Sequence, residues 1–167
     1  GENGMEQFSR DARITTLYEG TTGIQAADLL GRKILQLQGV GFKHFLEEIS
    51  GFCQQHSADE SLRALIGPLA VYAKQWGDMT LKLAQRAQAN PEELGAAATD
   101  YLYYSGYVTL AYLWARSVAA ADKSSQSAAF KQAKRDTASF YFTRILPRCL
   151  VHQAGIEAGV ATLPEIA

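Results

Sequence analysis

Cysteine and proline are both scarce in this sequence, with 2 and 4 occurrences in 167 residues. Cys53 and Cys149 stand far apart in apolar helical patterns, without the paired spacing of a metal site or a disulfide framework. We therefore expect no bound metal and a reducing compartment. So few prolines in a chain that is 47% hydrophobic also exclude the composition of a disordered protein.

No excess of one charge is present, because 16 Lys and Arg residues stand against 17 Asp and Glu. Binding to nucleic acid or to an anionic membrane needs clustered positive charge, so we expect neither partner. No apolar run approaches the roughly 20 residues that span a bilayer, and no signal-peptide pattern is present. These features predict a cytoplasmic protein that has no membrane span.

Alternating runs of β-branched residues, which would indicate strands, are also missing. Apolar residues recur at helical spacing instead. This pattern predicts an all-α protein, an up-and-down antiparallel helical bundle preceded by a helix-turn-helix segment. Pro68 and Pro147 predict kinks within two of the helices. The predicted helices span 5–17, 21–37, 40–56, a stretch from a cap at 57–59 to 89, a stretch from the Asn90 cap to 122, and 128–155.

The most informative segment is RDARITTLYEGTTGIQ, which reads as a helix, a tight turn and a second helix. Gly20 permits a backbone conformation that a side chain would oppose, and Gly23 allows the close approach of another molecule. A hydroxyl of Thr21 or Thr22 can cap the second helix, whose first N–H groups can face a phosphate. Such a turn can hold the carboxylate of Glu19 in a cleft.

An ordinary structural reading of the same turn is also open. Tyr18 can be an apolar anchor, Glu19 a favourable acid before a helix start, and the glycines turn residues. Helical periodicity by itself does not distinguish this reading from a catalytic one.

The stretch RDARITTLYEGTTGIQAADLLGRK resembles the segment of acyl-CoA dehydrogenases built around a tyrosine-glutamate-glycine-threonine turn. Together with the preceding ENGMEQ, it resembles the branch of that family with an extra C-terminal helical domain. The resemblance implies that residues 1–38 end the catalytic helical domain and that 39–167 form the appended four-helix bundle. It also implies that the chain is a segment of a longer protein and is inactive in isolation.

The resemblance further implies a reaction and its site residues. Glu19 would abstract the α-proton of an acyl-CoA thioester, the β-hydrogen would leave as hydride to N5 of FAD, and trans-2-enoyl-CoA would form. The backbone N–H of Glu19 would help to polarise the thioester carbonyl, and Gly20 would contact the substrate. Thr21, Thr22 and Gly23 would contact FAD, with Gln25 as a weaker candidate.

Gly23 departs from relatives that place glutamine or asparagine nearby, so only backbone contact is expected there. An electron-transfer flavoprotein is the expected electron acceptor and a homo-oligomer the expected assembly. Two rival readings are a non-catalytic helical module for oligomerisation and an acyl-CoA oxidase, which would pass electrons to oxygen.

The remaining candidate residues favour structural roles. His44, His56 and His152 are too scattered for a metal site and are expected at surfaces or interfaces. Asp100 precedes an apolar stretch and is expected to pair with a cation or a tyrosine hydroxyl. Basic residues are expected on solvated helix faces. Aromatic residues expected mainly in the core are Tyr101, Tyr103, Tyr104, Tyr107, Tyr112, Trp114, Phe140, Tyr141 and Phe142.

Overall fold

The computed structural model describes residues 4–17 and 20–163, apart from the side chain of Thr162. All regular elements in these residues are helical, which confirms the all-α bundle. They are α1 (Glu6–Arg13) with a 3-10 turn (Ile14–Thr16), α2 (Thr22–Ala27) continuing as a π-helix (Asp28–Gln36), α3 (Val40–Gln55), α4 (Arg63–Ala89), α5 (Glu92–Lys123), α6 (Ala128–Phe140) with a π-turn (Tyr141–Ile145) and a 3-10 turn (Leu146–Arg148), and α7 (Cys149–Ala158) with a 3-10 turn (Val160–Thr162).

Several helix boundaries follow from capping residues that the sequence displays. The side-chain oxygen of Asn90 accepts the backbone N–H of Glu92 over 3.0 Å, and acids occupy the positive end of α5. Ser127 accepts the N–H of Phe130 over 3.2 Å at the start of α6. Gly39 ends the α2 segment with a φ of 68°, a conformation that glycine adopts without strain.

The predicted cap at 57–59 and the single helix over 128–155 are both wrong. Helix α4 starts only at Arg63, while Asp59 accepts the backbone N–H of Ser61 and so supports the preceding turn. The last helix divides into α6 and α7 around Pro147, which lacks an N–H donor and crowds the preceding helical turn. Helix α4 continues as one element through Pro68.

Helix α5 lies at the centre of the bundle and packs against α2, α4, α6 and α7, while α3 packs on α4. Its buried residues recur at alternating spacings of three and four, so one broad face is apolar along its whole length. Fully burying each large aliphatic or aromatic side chain contributes roughly 2 kcal/mol before entropy losses. The buried residues of this main stripe are Ala97, Tyr101, Tyr104, Val108, Ala111, Ala115 and Val118.

The N-terminal segment is packed differently. Helix α1 has no buried residue, and Leu17 just after it is 86% exposed. Ala26, Leu30 and Ile34 of α2 and its π-helical continuation are buried in the same core as α5. The domain boundary predicted between residues 38 and 39 stays a prediction.

None of the helices in residues 4–17 and 20–163 has the length and apolar content required to cross a membrane.

Candidate functional site at the Gly20 turn

The turn that carries the predicted site joins α1 to α2. Glu19, the predicted base, lies outside the described residues, as does Tyr18. The four positions that follow it, Gly20 to Gly23, are all exposed. The candidate cofactor and substrate residues therefore share one accessible stretch of backbone at the start of α2.

Thr21 adopts a backbone conformation that threonine rarely takes. Its φ is 53° and its ψ is 118°, so the β-branched side chain sits on a positive-φ residue. Such strain persists only where neighbouring contacts hold it, and it concentrates at functional sites. The Thr21 side chain makes no capping hydrogen bond to α2, because helix caps normally use extended, negative-φ backbone. The predicted hydroxyl cap is therefore wrong for Thr21.

Gln25 makes two contacts with this turn. Its backbone N–H donates to the Thr21 carbonyl over 3.0 Å, and its side-chain amide Nε2 donates to the Gly20 carbonyl over 3.5 Å. A Cβ at position 20 would lie only 2.5 Å from Nε2 and would displace the amide. The sequence predicts Gln25 only as a weaker candidate for a flavin contact. The available signal was a long polar side chain in a first helical turn, which can reach back to preceding backbone.

Gly23 has open space beside it. A Cβ built there would meet no atom within 4 Å, so packing within the described residues does not require glycine. A position without a side chain leaves its backbone open to a second molecule, as the sequence suggested.

Both basic residues that follow α2 pair with one carboxylate. Arg32 hydrogen-bonds Asp28 through two nitrogens, and the Lys33 ammonium lies 3.5 Å from the same carboxyl group. The hydrogen bond from Arg32, followed by attraction to both cations, lowers the pKa of Asp28. The three side chains form an ion-pair cluster on an accessible helix face, and surface pairs of this kind stabilise little.

A second polar cluster lies between α5 and α7. Nδ1 of His152 lies 2.8 Å from Oδ1 of Asp100, which supplies the partner that the sequence left unidentified. The rings of Tyr103 and Tyr107 stack on the imidazole with centroid distances of 5.2 and 5.6 Å. A Cβ at Gly155 would overlap the Asp100 carboxyl group at 2.1 Å, so this glycine lets the two helices approach. The cluster joins two helices.

The other histidines occupy contrasting positions. His44 is exposed beside Glu47, as expected. His56 is buried, with its ring 4.6 Å from that of Phe52, so the expectation of a surface position is wrong for it. Within the described part of the chain, no three His, Cys, Asp or Glu side chains cluster as a metal site would need.

Most of the aromatic residues pack in the core as predicted. The Tyr101 hydroxyl shares a 2.6 Å hydrogen bond with Thr80, and Tyr104 donates to the Tyr72 carbonyl over 3.0 Å. Burial raises the pKa of both Tyr101 and Tyr104. The core prediction is wrong for Tyr103 and Phe140, which are exposed. The ring of Tyr103 is covered on one side by the imidazole of His152.

Comparison with known proteins matches residues 45–167 to the family described as "Acetyl-CoA dehydrogenase C-terminal like". The 3-methylmercaptopropionyl-CoA dehydrogenase of Ruegeria pomeroyi is 32% identical over 159 residues, covering 93% of this chain and 27% of that protein. A broad-specificity linear acyl-CoA dehydrogenase of Mycobacterium tuberculosis is 30% identical over 158 residues, covering 86% of this chain and 25% of that protein.

A shorter match links the chain to the butyryl-CoA dehydrogenase of Syntrophomonas wolfei, with 38% identity over 65 residues, 36% of this chain and 11% of that protein. The chain thus spans about a quarter of the length of the R. pomeroyi and M. tuberculosis relatives.

Proposed function

Because this chain belongs to the acetyl-CoA dehydrogenase C-terminal-like family, we propose that it is part of a flavin-dependent acyl-CoA dehydrogenase. The reaction would be the α,β-dehydrogenation of an acyl-CoA thioester to trans-2-enoyl-CoA. Glu19 would be the base. The observation that carries this proposal is the match to the R. pomeroyi dehydrogenase. The match covers 93% of this chain, so the matched region includes position 19.

The proposed chemistry needs one carboxylate and one backbone donor. Glu19 would take the α-proton of the thioester, and a desolvated site would raise the carboxyl pKa toward the working range of a general base. The backbone N–H at position 19 would donate to the thioester carbonyl and stabilise the negative charge that develops there. Gly20 would leave room for the thioester beside that donor.

The residues after Gly20 fit a contact with FAD. Thr21, Thr22 and Gly23 are exposed at the start of α2, and the space beside Gly23 is open. Small residues and the N–H groups of a helix start suit a phosphate-bearing ligand. FAD, when bound, would accept the substrate's β-hydrogen as hydride.

The acyl group would be selected outside this chain. The R. pomeroyi and M. tuberculosis relatives are named for methylmercaptopropionyl and broad linear substrates, yet both match most of this chain. We further propose an electron-transfer flavoprotein as the acceptor, a homo-oligomeric assembly and a cytoplasmic location. The isolated chain would be inactive.

The test is anaerobic bleaching of the flavin by a panel of acyl-CoA thioesters in the full-length protein that contains this chain. The variants are Glu19→Gln and, as a matched control, Glu47→Gln at an exposed position of α3. We expect the wild type and Glu47→Gln to bleach. Glu19→Gln should retain FAD and bind acyl-CoA, while its bleaching rate falls by at least about 1,000-fold because the base is removed.

Each other outcome rejects a specific part of the proposal. Wild-type bleaching by Glu19→Gln places the base elsewhere. A wild-type protein that no thioester bleaches removes the dehydrogenase assignment and favours the oligomerisation module. Rapid peroxide formation in air by acyl-CoA-reduced protein, without an electron-transfer flavoprotein, identifies an oxidase instead.

A further inference from the structure

The outer face of α5 is exposed, yet none of its exposed positions between 95 and 113 carries a charged residue. These positions recur at spacings of three and four, so they form one stripe that is about 27 Å long. A helix at a protein surface normally carries charged and polar side chains opposite its apolar face. The residues of this outer stripe are Gly95, Thr99, Tyr103, Gly106, Leu110 and Leu113.

An apolar groove runs beside the outer stripe and widens it. The groove has a volume of ≈ 540 Å³ and includes Gly106 and Leu110 of the stripe. Its opposite wall contains Leu29 of the π-helix that continues α2 and Phe42 of α3, two apolar residues that are only partly buried. Large contiguous apolar patches are rare on monomers and mark interaction sites. We therefore expect a partner whose contact surface is also apolar and uncharged.

The outer stripe is complementary in size to a second copy of itself. In an antiparallel pair of α5 helices with a two-fold axis at Gly106, positions equally far before and after residue 106 face each other. Leu113 then lies opposite Thr99 of the second copy, and Tyr103 lies opposite Thr109. These large side chains each meet a small residue, and the two glycines at the axis let the helices approach closely.

Charge and area are compatible with the same pairing. The exposed Arg116 would lie opposite Ala96, so like charges would not meet along the contact. A stripe about 10 Å wide provides about 300 Å² per copy, whereas a stable dimer needs about 800 Å² per partner. The groove on one side of the stripe, and α7 on the other side, where His152 stacks on Tyr103, would extend the contact.

We propose that the outer stripe of α5 is an interface with a second copy of the protein, with the two α5 helices antiparallel and the two-fold axis at Gly106. The inference rests on the homo-oligomeric assembly of the proposed function. The contact buries apolar side chains, so the association persists at high salt, which screens only charged pairs.

The experiment is site-specific disulfide formation in the full-length protein that contains this chain, with the wild type as background. Gly106→Cys places a thiol at the proposed axis, and a Cβ there meets no atom within 4 Å. Thr99→Cys and Leu113→Cys are made singly and together. Leu81→Cys, at a position of α4 that is 67% exposed, is the matched control. The readouts are non-reducing gel electrophoresis after mild oxidation, particle mass by light scattering, and FAD occupancy.

We expect oxidation to double the apparent mass of most of the Gly106→Cys protein, because the axis brings the two Cα atoms within the roughly 4.4–6.8 Å that a disulfide spans. The double variant with Thr99→Cys and Leu113→Cys should cross-link as well, since each thiol faces the other across the axis. Each single variant should not, because position 99 and its copy lie about 21 Å apart along the helices. Leu81→Cys should stay at the wild-type background, and FAD occupancy should be unchanged throughout.

Four results overturn the inference. An oligomer in which Gly106→Cys cross-links no more than Leu81→Cys meets through another surface, and the proposed function stands. Cross-linking by Thr99→Cys or Leu113→Cys alone rejects the antiparallel register. A thiol at position 106 that resists a small maleimide without forming a dimer is covered by the rest of the same polypeptide. A monomeric full-length protein removes the proposed assembly together with this interface, while flavin bleaching still tests the proposed reaction.

Discussion

The Gly20 turn and the centre of α5 differ in burial and in backbone conformation. Along α5 an apolar stripe is buried on every turn, and the hydroxyl groups of Tyr101 and Tyr104 have hydrogen-bond partners. At the turn, the residues from Gly20 to Gly23 are exposed, Thr21 has positive φ, and the exposed amide of Gln25 lies 3.5 Å from the Gly20 carbonyl. The first region is built for stability, while the second keeps strained backbone accessible to another molecule.

The largest effect on stability should come from the core of the bundle. Leu83→Ala removes a fully buried side chain from α4 and should lower the free energy of unfolding by about 2–5 kcal/mol through lost transfer energy and a cavity. Leu81→Ala is the matched control, because Leu81 lies on the same helix and is 67% exposed. Urea unfolding should show a control effect below about 1 kcal/mol. Similar losses in both variants would contradict the assigned packing of α4.

A smaller effect should come from the buried hydroxyl pair. Thr80→Val leaves the Tyr101 hydroxyl without its 2.6 Å partner and should cost about 1–3 kcal/mol. The double variant with Tyr101→Phe should cost less than the sum of the two single changes, because no polar group is then left buried and unpaired. Strictly additive losses in urea unfolding would show that the two hydroxyls do not interact.

Substitution by glycine should stabilise the protein at the Gly20 turn, although it destabilises the protein within a helix. Thr21→Gly relieves a positive-φ residue and should raise the free energy of unfolding by up to about 1 kcal/mol, even though the unfolded chain gains freedom. Thr99→Gly, in the interior of α5, should lower it by roughly 0.5 kcal/mol. Destabilisation by Thr21→Gly would mean that the threonine side chain supports the turn.

A pH dependence should come from a buried thiol. Desolvation raises the pKa of Cys149 to about 12, whereas an unfolded thiol titrates near 8.5. A raised pKa gives stability that is complete below the unfolded value and is lost as pH rises toward the folded value. Stability should therefore begin to fall above about pH 8.5, and less steeply in Cys149→Ala.

Thiol labelling checks the same assignment directly. At pH 8, Cys149 should label with iodoacetamide only as fast as the protein unfolds, because the buried thiol is neutral and inaccessible. Rapid labelling of the folded chain at this position would place Cys149 at an open surface.

The sequence by itself determined the helical class, the cap at Asn90 and the end of the second predicted helix at Gly39. Each depends on local backbone chemistry: a side-chain acceptor for free N–H groups, or a residue that accepts positive φ. The turn motif also located the candidate site, since one short stretch contains the carboxylate and the glycines around it.

Only the tertiary structure decided features that depend on which residues meet. The burial of His56, the exposure of Phe140 and the pairing of Asp100 with His152 depend on neighbours from other parts of the chain. A periodic pattern predicts which face of a helix is apolar, but not which helix covers it or how a turn is held.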